Sequence, residues 1–262
     1  IVVIADNCND STIRIAKAAG VNVIERHDDR SRGKGYALNH AFNILLQESY
    51  DAFLIVDADT VVEPNFVNRM GDMFEKGSDA VQCRNLVKNV DESIHTRLMG
   101  IAWVAFNVLR LRGRERWGIS VGILGNGFGL SRATLVKVPF NTFSIAEDLE
   151  YHLRLVKAGL RVRYCQETTV WSDTPVRGQA AAGQIARWEG GRFRAIREQA
   201  PELIFEVLKG RLRLLEPLMD LLLLPLAFHV FLLLCLLALP FPVGRILALV
   251  GLGCVIMHIC AA

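Results

Sequence analysis

Two carboxylates one residue apart, Asp57 and Asp59, follow directly on the apolar run Phe53-Leu54-Ile55-Val56. Four apolar residues in succession suit a strand covered on both faces, and the acidic pair suits the loop leaving its C-terminal end. Ligands of open α/β sheets bind in the crevice beyond those ends. Paired carboxylates there offer hard oxygen ligands to Mg2+ or Mn2+, the cations that hold substrate phosphates. An Asx turn with a second, solvated Asp would read the same way.

Further stretches carry residues with chemical potential. Arg30 to Asn39 contains Arg32-Gly33-Lys34-Gly35 ahead of a helical pattern. Free N–H groups, the helix dipole and the basic side chains all favour a phosphate there. The spacing is neither that of a P-loop nor that of a dinucleotide fingerprint, and an ordinary basic loop is the alternative. Gly125-Asn126-Gly127 lies in a glycine-rich segment whose backbone could approach a ligand closely, or could form a bulged hairpin. Ser144 and Glu147 have capping-box spacing at the start of a helix, which leaves Asp148 free for another task. A carboxylate at a helix N-terminus has its charged form favoured, as a base working at neutral pH requires. In Gln184-Ile185-Ala186-Arg187-Trp188, the guanidinium could grip a phosphate and the indole could face a sugar ring. On local grounds a surface helix with its Trp turned inward explains that stretch better.

The elements that must position these groups alternate. Strand patterns at Ile1–Ala5, 21–24, 53–56, 80–84 and 161–165 are separated by helical ones ending near Gly20, Glu48, Glu75, Leu111 and Gly159. Alternation of this kind predicts a mostly parallel sheet with flanking helices. The apolar stripe Ile94, Leu98, Ile101, Ala102, Ala105, Val108 and Leu109 reads as core. From Arg192 to Leu215 the pattern is basic and amphipathic, as in a helix lying in a membrane interface. Leu218 to Leu239 is long and apolar enough to span a bilayer, with Asp220 near its start, Pro225 as a kink and His229 inside. A second span begins at about residue 244. Lys209, Arg211 and Arg213 ahead of the first span place residues 1–215 on the cytoplasmic side.

The chain of 262 residues carries a net charge of only +3, with its basic residues scattered. That argues against nucleic acid as a partner. The six cysteines have no C-x-x-C spacing and read as reduced, buried thiols, without zinc or a disulfide framework. Both ends fall within apolar runs, so the chain is expected to be part of a longer protein.

Taken together, Asp57-Ala58-Asp59, Ala146-Glu147-Asp148 and Gln184-x-x-Arg187-Trp188 resemble the D-x-D, E-D and Q-x-x-R-W motifs of family-2 glycosyltransferases, in order and ahead of apolar helices. The membrane enzymes of that family include the cellulose, chitin, hyaluronan and poly-N-acetylglucosamine synthases. The resemblance implies a GT-A, Rossmann-like fold over residues 1–191, its opening strand missing. An interfacial region at 192–215 and a membrane region at 216–262 would follow. It implies inverting, metal-dependent transfer from a nucleotide-sugar, a UDP-sugar before others, to a saccharide or lipid-linked acceptor. The enzyme would be a multi-pass protein of the cell membrane, with processive synthesis and partner subunits as further expectations. By resemblance, Asp148 is the catalytic base. Asp6, Lys34, Asp57, Asp59 and Arg187 serve the nucleotide-sugar, with Asp57 and Asp59 also holding Mg2+ or Mn2+. Gly125, Asn126, Gly127, Glu147, Gln184 and Trp188 serve the acceptor or transferred sugar. A nucleotidyltransferase and a non-catalytic, nucleotide-sugar-binding membrane subunit are the rival readings.

Overall fold

The computed structural model describes residues 1–176, 178–223 and 226–261. The chain opens with a parallel pair, β1 (Val2–Asp6) and β2 (Asn22–Arg26), joined through α1 (Thr12–Ala18). Helix α2 (Lys34–Leu45) leads to β3 (Ala52–Ile55), the short β4 (Val61–Val62), α3 (Phe66–Glu75) and β5 (Ala80–Val87). A long helical excursion follows. Helix α4 (Ile94–Val104) passes through a π-helical stretch, Ala105–Leu109, into α5 (Arg110–Arg116). Then come β6 (Phe128–Ser131), α6 (Arg132–Lys137), α7 (Glu147–Lys157) and β7 (Val162–Ser172). The remainder is helical: α8 (Gly178–Leu208), α9 (Leu215–Leu222), α10 (Leu226–Ala238) and α11 (Pro242–Cys260).

Strands β3 to β7 form one sheet in the order β3-β6-β5-β7-β4. It is α/β as expected, but it is mixed where a mostly parallel sheet was expected. Only β5–β7 is parallel there; β6 runs antiparallel to both β3 and β5, and β4 runs antiparallel to β7. The cause is the α4–α5 excursion, after which the chain re-enters the sheet from the opposite end. The consequence bears on function. Phe128, at the start of β6, pairs with Ile55, at the end of β3. The glycine-rich loop before β6 therefore sits beside the Asp57 turn.

The main core packs Phe42, Phe53, Phe128, Leu130, Phe140 and Tyr151 between sheet and helices. Tyr151 is fully buried, and its hydroxyl donates to the Val138 carbonyl at 2.7 Å, so its polar tip is satisfied. A second cluster joins Leu153 and Val156 of α7, Ala195, Ala200 and Leu203 of α8, and Leu218 and Leu221 of α9.

That second cluster revises the reading of the apolar tail. The stretch 218–239 is not one helix, because α9 ends at Leu222 and α10 starts at Leu226. Leu218 and Leu221 are buried against α7 and α8, so α9 belongs to the α/β body. Among the described residues, Pro242–Cys260 is the one helix long and apolar enough to cross a membrane. Pro225, the expected kink, lies outside the described residues. The region 192–215 is part of the long α8 as far as Leu208 and packs inward through Ala195 and Leu203, while Phe205 and Leu208 are exposed. The α4 stripe is only half core: Ala105 and Val108 are buried, but Ile94, Leu98 and Ile101 are exposed. Of the cysteines, only Cys83 and Cys165 are buried; Cys235, Cys254 and Cys260 are exposed, on helices whose flanks face outward.

Candidate active site

Helix α2 starts at Lys34 after Gly33, and its first turn is pressed against the loop ahead of α7. A β-carbon on Gly35 would lie 2.0 Å from the Thr142 carbonyl oxygen, so only glycine allows this approach. Tyr36 stacks on Phe143 with ring centroids 4.4 Å apart, which fixes the same contact. The result is that the Lys34 ammonium donates to both the Asp57 carboxylate and the Gly125 carbonyl. Two segments separated by nearly 70 residues thus meet at one cation.

The Asp57 turn closes on itself, with the Thr60 N–H donating to the Asp57 carbonyl at 3.1 Å. Asp57 is partly buried and Asp59 is exposed. Asn126 was expected at a sugar. Its side chain instead turns into the protein, 4% exposed, and bonds to the Asp57 N–H and to the hydroxyls of Thr60 and Ser172.

Helix α7 brings the other half of the site. The expected Ser144–Glu147 capping box does not form. The N-cap is Ala146, with no side-chain cap, and the helix begins at Glu147 itself. Asp148 accepts from the Leu149 N–H at 2.7 Å. Its second oxygen faces Gly125, where an added β-carbon would sit 3.2 Å away and where φ is +78°. Burial pushes the Asp148 carboxyl above the usual carboxylate range, against the pull of the Leu149 N–H and of Lys34. The helix terminus alone suggests a readily ionised group; desolvation outweighs it. Glu147 is pushed up to about 7, first by burial and then by the charge of Asp148.

A cleft of about 350 Å3 opens between these halves, lined by Arg32, Gly33, Lys34, Gly35, Phe143, Ser144, Ile145, Glu147 and Arg187. Three cations and a carboxylate on its wall suit a polyanionic ligand. Trp188 beside Arg187 is 47% exposed, so it is not a core residue. The Gln184 side chain lies outside the described residues. At the end of β1, Asp6 is held by Arg26, whose guanidinium donates to it at 2.6 Å and to Asp28 at 3.1 Å.

The structure therefore gathers Lys34, Asp57, Gly125, Glu147 and Asp148, and sets Arg187 on the wall of the same cleft. Asp6 is paired with Arg26, whose guanidinium lies 5.7 Å from the centre of the Tyr36 ring beside Gly35, and Asp59 makes no side-chain hydrogen bond or ion pair among the described residues. Sequence reasoning missed Gln82, Thr60, Ser172 and Arg26. Each looks like an ordinary strand or turn residue, and only the tertiary pairing reveals it. Among the described residues no three His, Cys, Asp or Glu side chains converge as a metal cage. Two hard carboxylates on one turn, one of them solvent-facing, still fit a cation whose other ligands are phosphate oxygens and water.

A mixed α/β sheet carries an acidic turn, a basic cleft and a desolvated carboxylate at a helix start, and the basic wall of the cleft suits an anionic ligand. The sequence profile described as "Glycosyl transferase family group 2" matches residues 52–261, and the chain belongs to that family. It is 26% identical over 200 residues to a protein of Bacillus subtilis called "Probable glycosyltransferase YdaM", an alignment spanning 73% of this chain and 47% of the relative. It is 25% identical over 219 residues to the Arabidopsis thaliana "Probable glucomannan 4-beta-mannosyltransferase 1", spanning 78% and 39%. The chain spans less than half the length of either relative. It is also similar to the solved structure of glucosyl-3-phosphoglycerate synthase from Mycobacterium tuberculosis with Mn2+, UDP-glucose and phosphoglyceric acid. There the identity is 18% and the TM-score 0.41, over 71% of this chain and 63% of that one.

Proposed function

We propose that this chain is the catalytic portion of an inverting glycosyltransferase that uses a nucleotide-sugar, with a UDP-sugar as the favoured donor. The observation that carries the reading is the meeting of Lys34, Asp57 and Asp148 at the Gly125 loop, in a member of a glycosyltransferase family. Displacing a nucleoside diphosphate requires stabilising the charge that grows on its phosphates. Lys34 has one N–H left after serving Asp57 and Gly125, and Arg187 supplies a planar fork on the cleft wall. Asp57 and Asp59 would hold Mg2+ or Mn2+, which supplies further neutralisation of the diphosphate when bound. Asp6 serves the base of the nucleotide. Asp148 takes the proton of the acceptor hydroxyl as that oxygen bonds to the anomeric carbon and the phosphate oxygen departs. A carboxylate whose proton affinity is raised by burial is the better base for this step. Glu147, Gln184 and Trp188 border the acceptor.

The acceptor is a saccharide or a lipid-linked sugar, delivered at the cytoplasmic face of the cell membrane. Helix α11, 19 residues long and apolar apart from Arg245 and His258, supports that placement as a membrane span, with α10 packed beside it. Processive synthesis and partner subunits would extend the same scheme.

The test is a screen of UDP-sugars with the full-length protein and Mn2+ or Mg2+, reading UDP release. Release that depends on Asp148 supports the reading. Diphosphate release from nucleoside triphosphates, with none from nucleotide-sugars, would overturn it.

A further inference from the structure

We infer that Asn126 is a positioning residue for the acidic turn, and that through it the turn is pre-set to take up a divalent cation with a nucleoside diphosphate. The inference rests on the proposed function for the identity of the ligand; the clamp itself is read from the structure alone.

One side chain ties both ends of the turn. The Asn126 Oδ1 accepts from the Asp57 N–H at 3.1 Å, while Nδ2 donates to the Thr60 Oγ1 at 2.8 Å and to the Ser172 Oγ at 3.0 Å. Thr60 and Ser172 are hydrogen-bonded to each other at 3.1 Å. Both amide N–H groups are thereby used, and the side chain is too buried to meet a sugar. Ser172 is the last residue of β7, so the turn is anchored to a second strand end as well.

Asn126 is itself held. Gln82, the third residue of β5, is fully buried. Its Oε1 accepts from the Leu124 N–H at 2.9 Å, and its Nε2 donates to the carbonyls of Asn126 at 2.8 Å and Gly127 at 3.1 Å. Two amides in series thus run from the centre of the sheet to the turn. A fully satisfied buried network of this kind is rigid, and one unmade bond leaves a desolvated polar group behind.

The arrangement matters because the protein can offer few ligands. With only Asp57 and Asp59 on the turn, a bound cation depends on where those carboxylates already point. Partners behind the ligands typically account for about 10- to 100-fold in metal affinity. If the turn were loose, its ordering would be charged against binding.

The experiment compares the full-length protein with its Asn126→Ala and Thr60→Val variants. Calorimetry measures UDP binding with and without Mn2+, and amide exchange is followed at Asp57. In Asn126→Ala we expect the tightening of UDP by Mn2+ to fall about tenfold. Affinity for UDP without Mn2+ should stay within about twofold, and the Asp57 amide should exchange faster. Thr60→Val, which keeps the shape and removes the hydroxyl, should shift the Mn2+ effect in the same direction by less, and it serves if Asn126→Ala does not fold. An equal loss with and without Mn2+ would overturn the inference, since it would mean general disruption or direct donor contact. So would an undiminished Mn2+ effect in both variants. If the unaltered protein bound no UDP in either condition, the proposed function would fall. The clamp would then still be judged by Asp57 exchange, and an unchanged rate in Asn126→Ala would refute it.

Discussion

Two aspartates, both half-buried, have opposite fates. Asp148 lies in the first turn of α7, and Asp220 lies in α9, which packs back onto the body. Burial pushes both upward. At Asp148 the opposing pull of one N–H and of a lysine shared with Asp57 is too weak, and the carboxyl stays above its ordinary value. At Asp220 the guanidiniums of Arg110, at 2.5 Å, and Arg114, at 3.1 Å, outweigh burial, and the carboxyl is held low. Arg192 adds a bond to the Asp220 carbonyl at 2.6 Å. What separates the two carboxylates is whether a desolvated charge has been given a full partner.

The largest effect should come from the under-partnered site. Asp148→Asn is expected to cut sugar transfer about 10^3-fold while leaving UDP–Mn2+ binding within about twofold. Turnover and calorimetry on the same sample check this, and retained turnover would remove Asp148 from the role of base. Next comes the fully partnered one. Asp220→Asn leaves two buried guanidiniums without their carboxylate and should cost about 3 kcal/mol of stability, read from the urea midpoint. A loss below about 1 kcal/mol would mean that the pairing contributes little beyond its own desolvation.

Lys34→Gln sharpens the contrast from the side of the shared cation. Nucleotide binding should weaken about tenfold through loss of one charge-assisted contact. Because Lys34 pulls Asp148 downward, its removal should also move the acid limb of the pH–rate profile to higher pH, and an unmoved limb would separate the two residues. The smallest effect is at Glu147. Its folded value of about 7 lies above the ordinary glutamate value of 4.5, so the folded state binds the extra proton between them. Stability should therefore decline as pH rises from about 4.5 to about 7 and then level off. Glu147→Gln should flatten that slope, as thermal melts across the range would show.

Much of this is legible from residue types. The turn after Phe53–Val56, the basic start of α2 and the acidic start of α7 can all be located from spacing, because apolar runs, glycines and clustered charges are local signals, even though neither helix start carries a side-chain cap. Sheet direction is not local: β6 is four residues long, and its antiparallel entry depends on a helical detour that the alternation pattern hides. Asn126 escapes for a related reason. Glycines on both sides suggest a ligand loop, and nothing in the sequence says whether the side chain between them faces out or in. The apolar tail misleads most. Leu218–Leu222 reads in sequence as the start of the same apolar span as α10, yet Arg114 at 2.7 Å from the neighbouring Glu216, and Asp220 among its arginines, bind α9 to the body. Charge partners more than 100 residues away leave no mark in a hydropathy window.

The seating of α9 also decides where this chain could be shortened. A cut at residue 191 would split α8, and a cut at 215 would strip Leu218 and Leu221 from Leu153, Val156 and Leu203. Either would bare an oily patch on the back of the very helix that begins at Glu147. A stop just after Leu222 would discard α10 and α11, with their outward-facing leucines and exposed Cys235, Cys254 and Cys260, and keep the body closed. For anyone wishing to handle the site in aqueous buffer, the natural seam is the gap between Leu222 and Leu226 rather than the first onset of leucine.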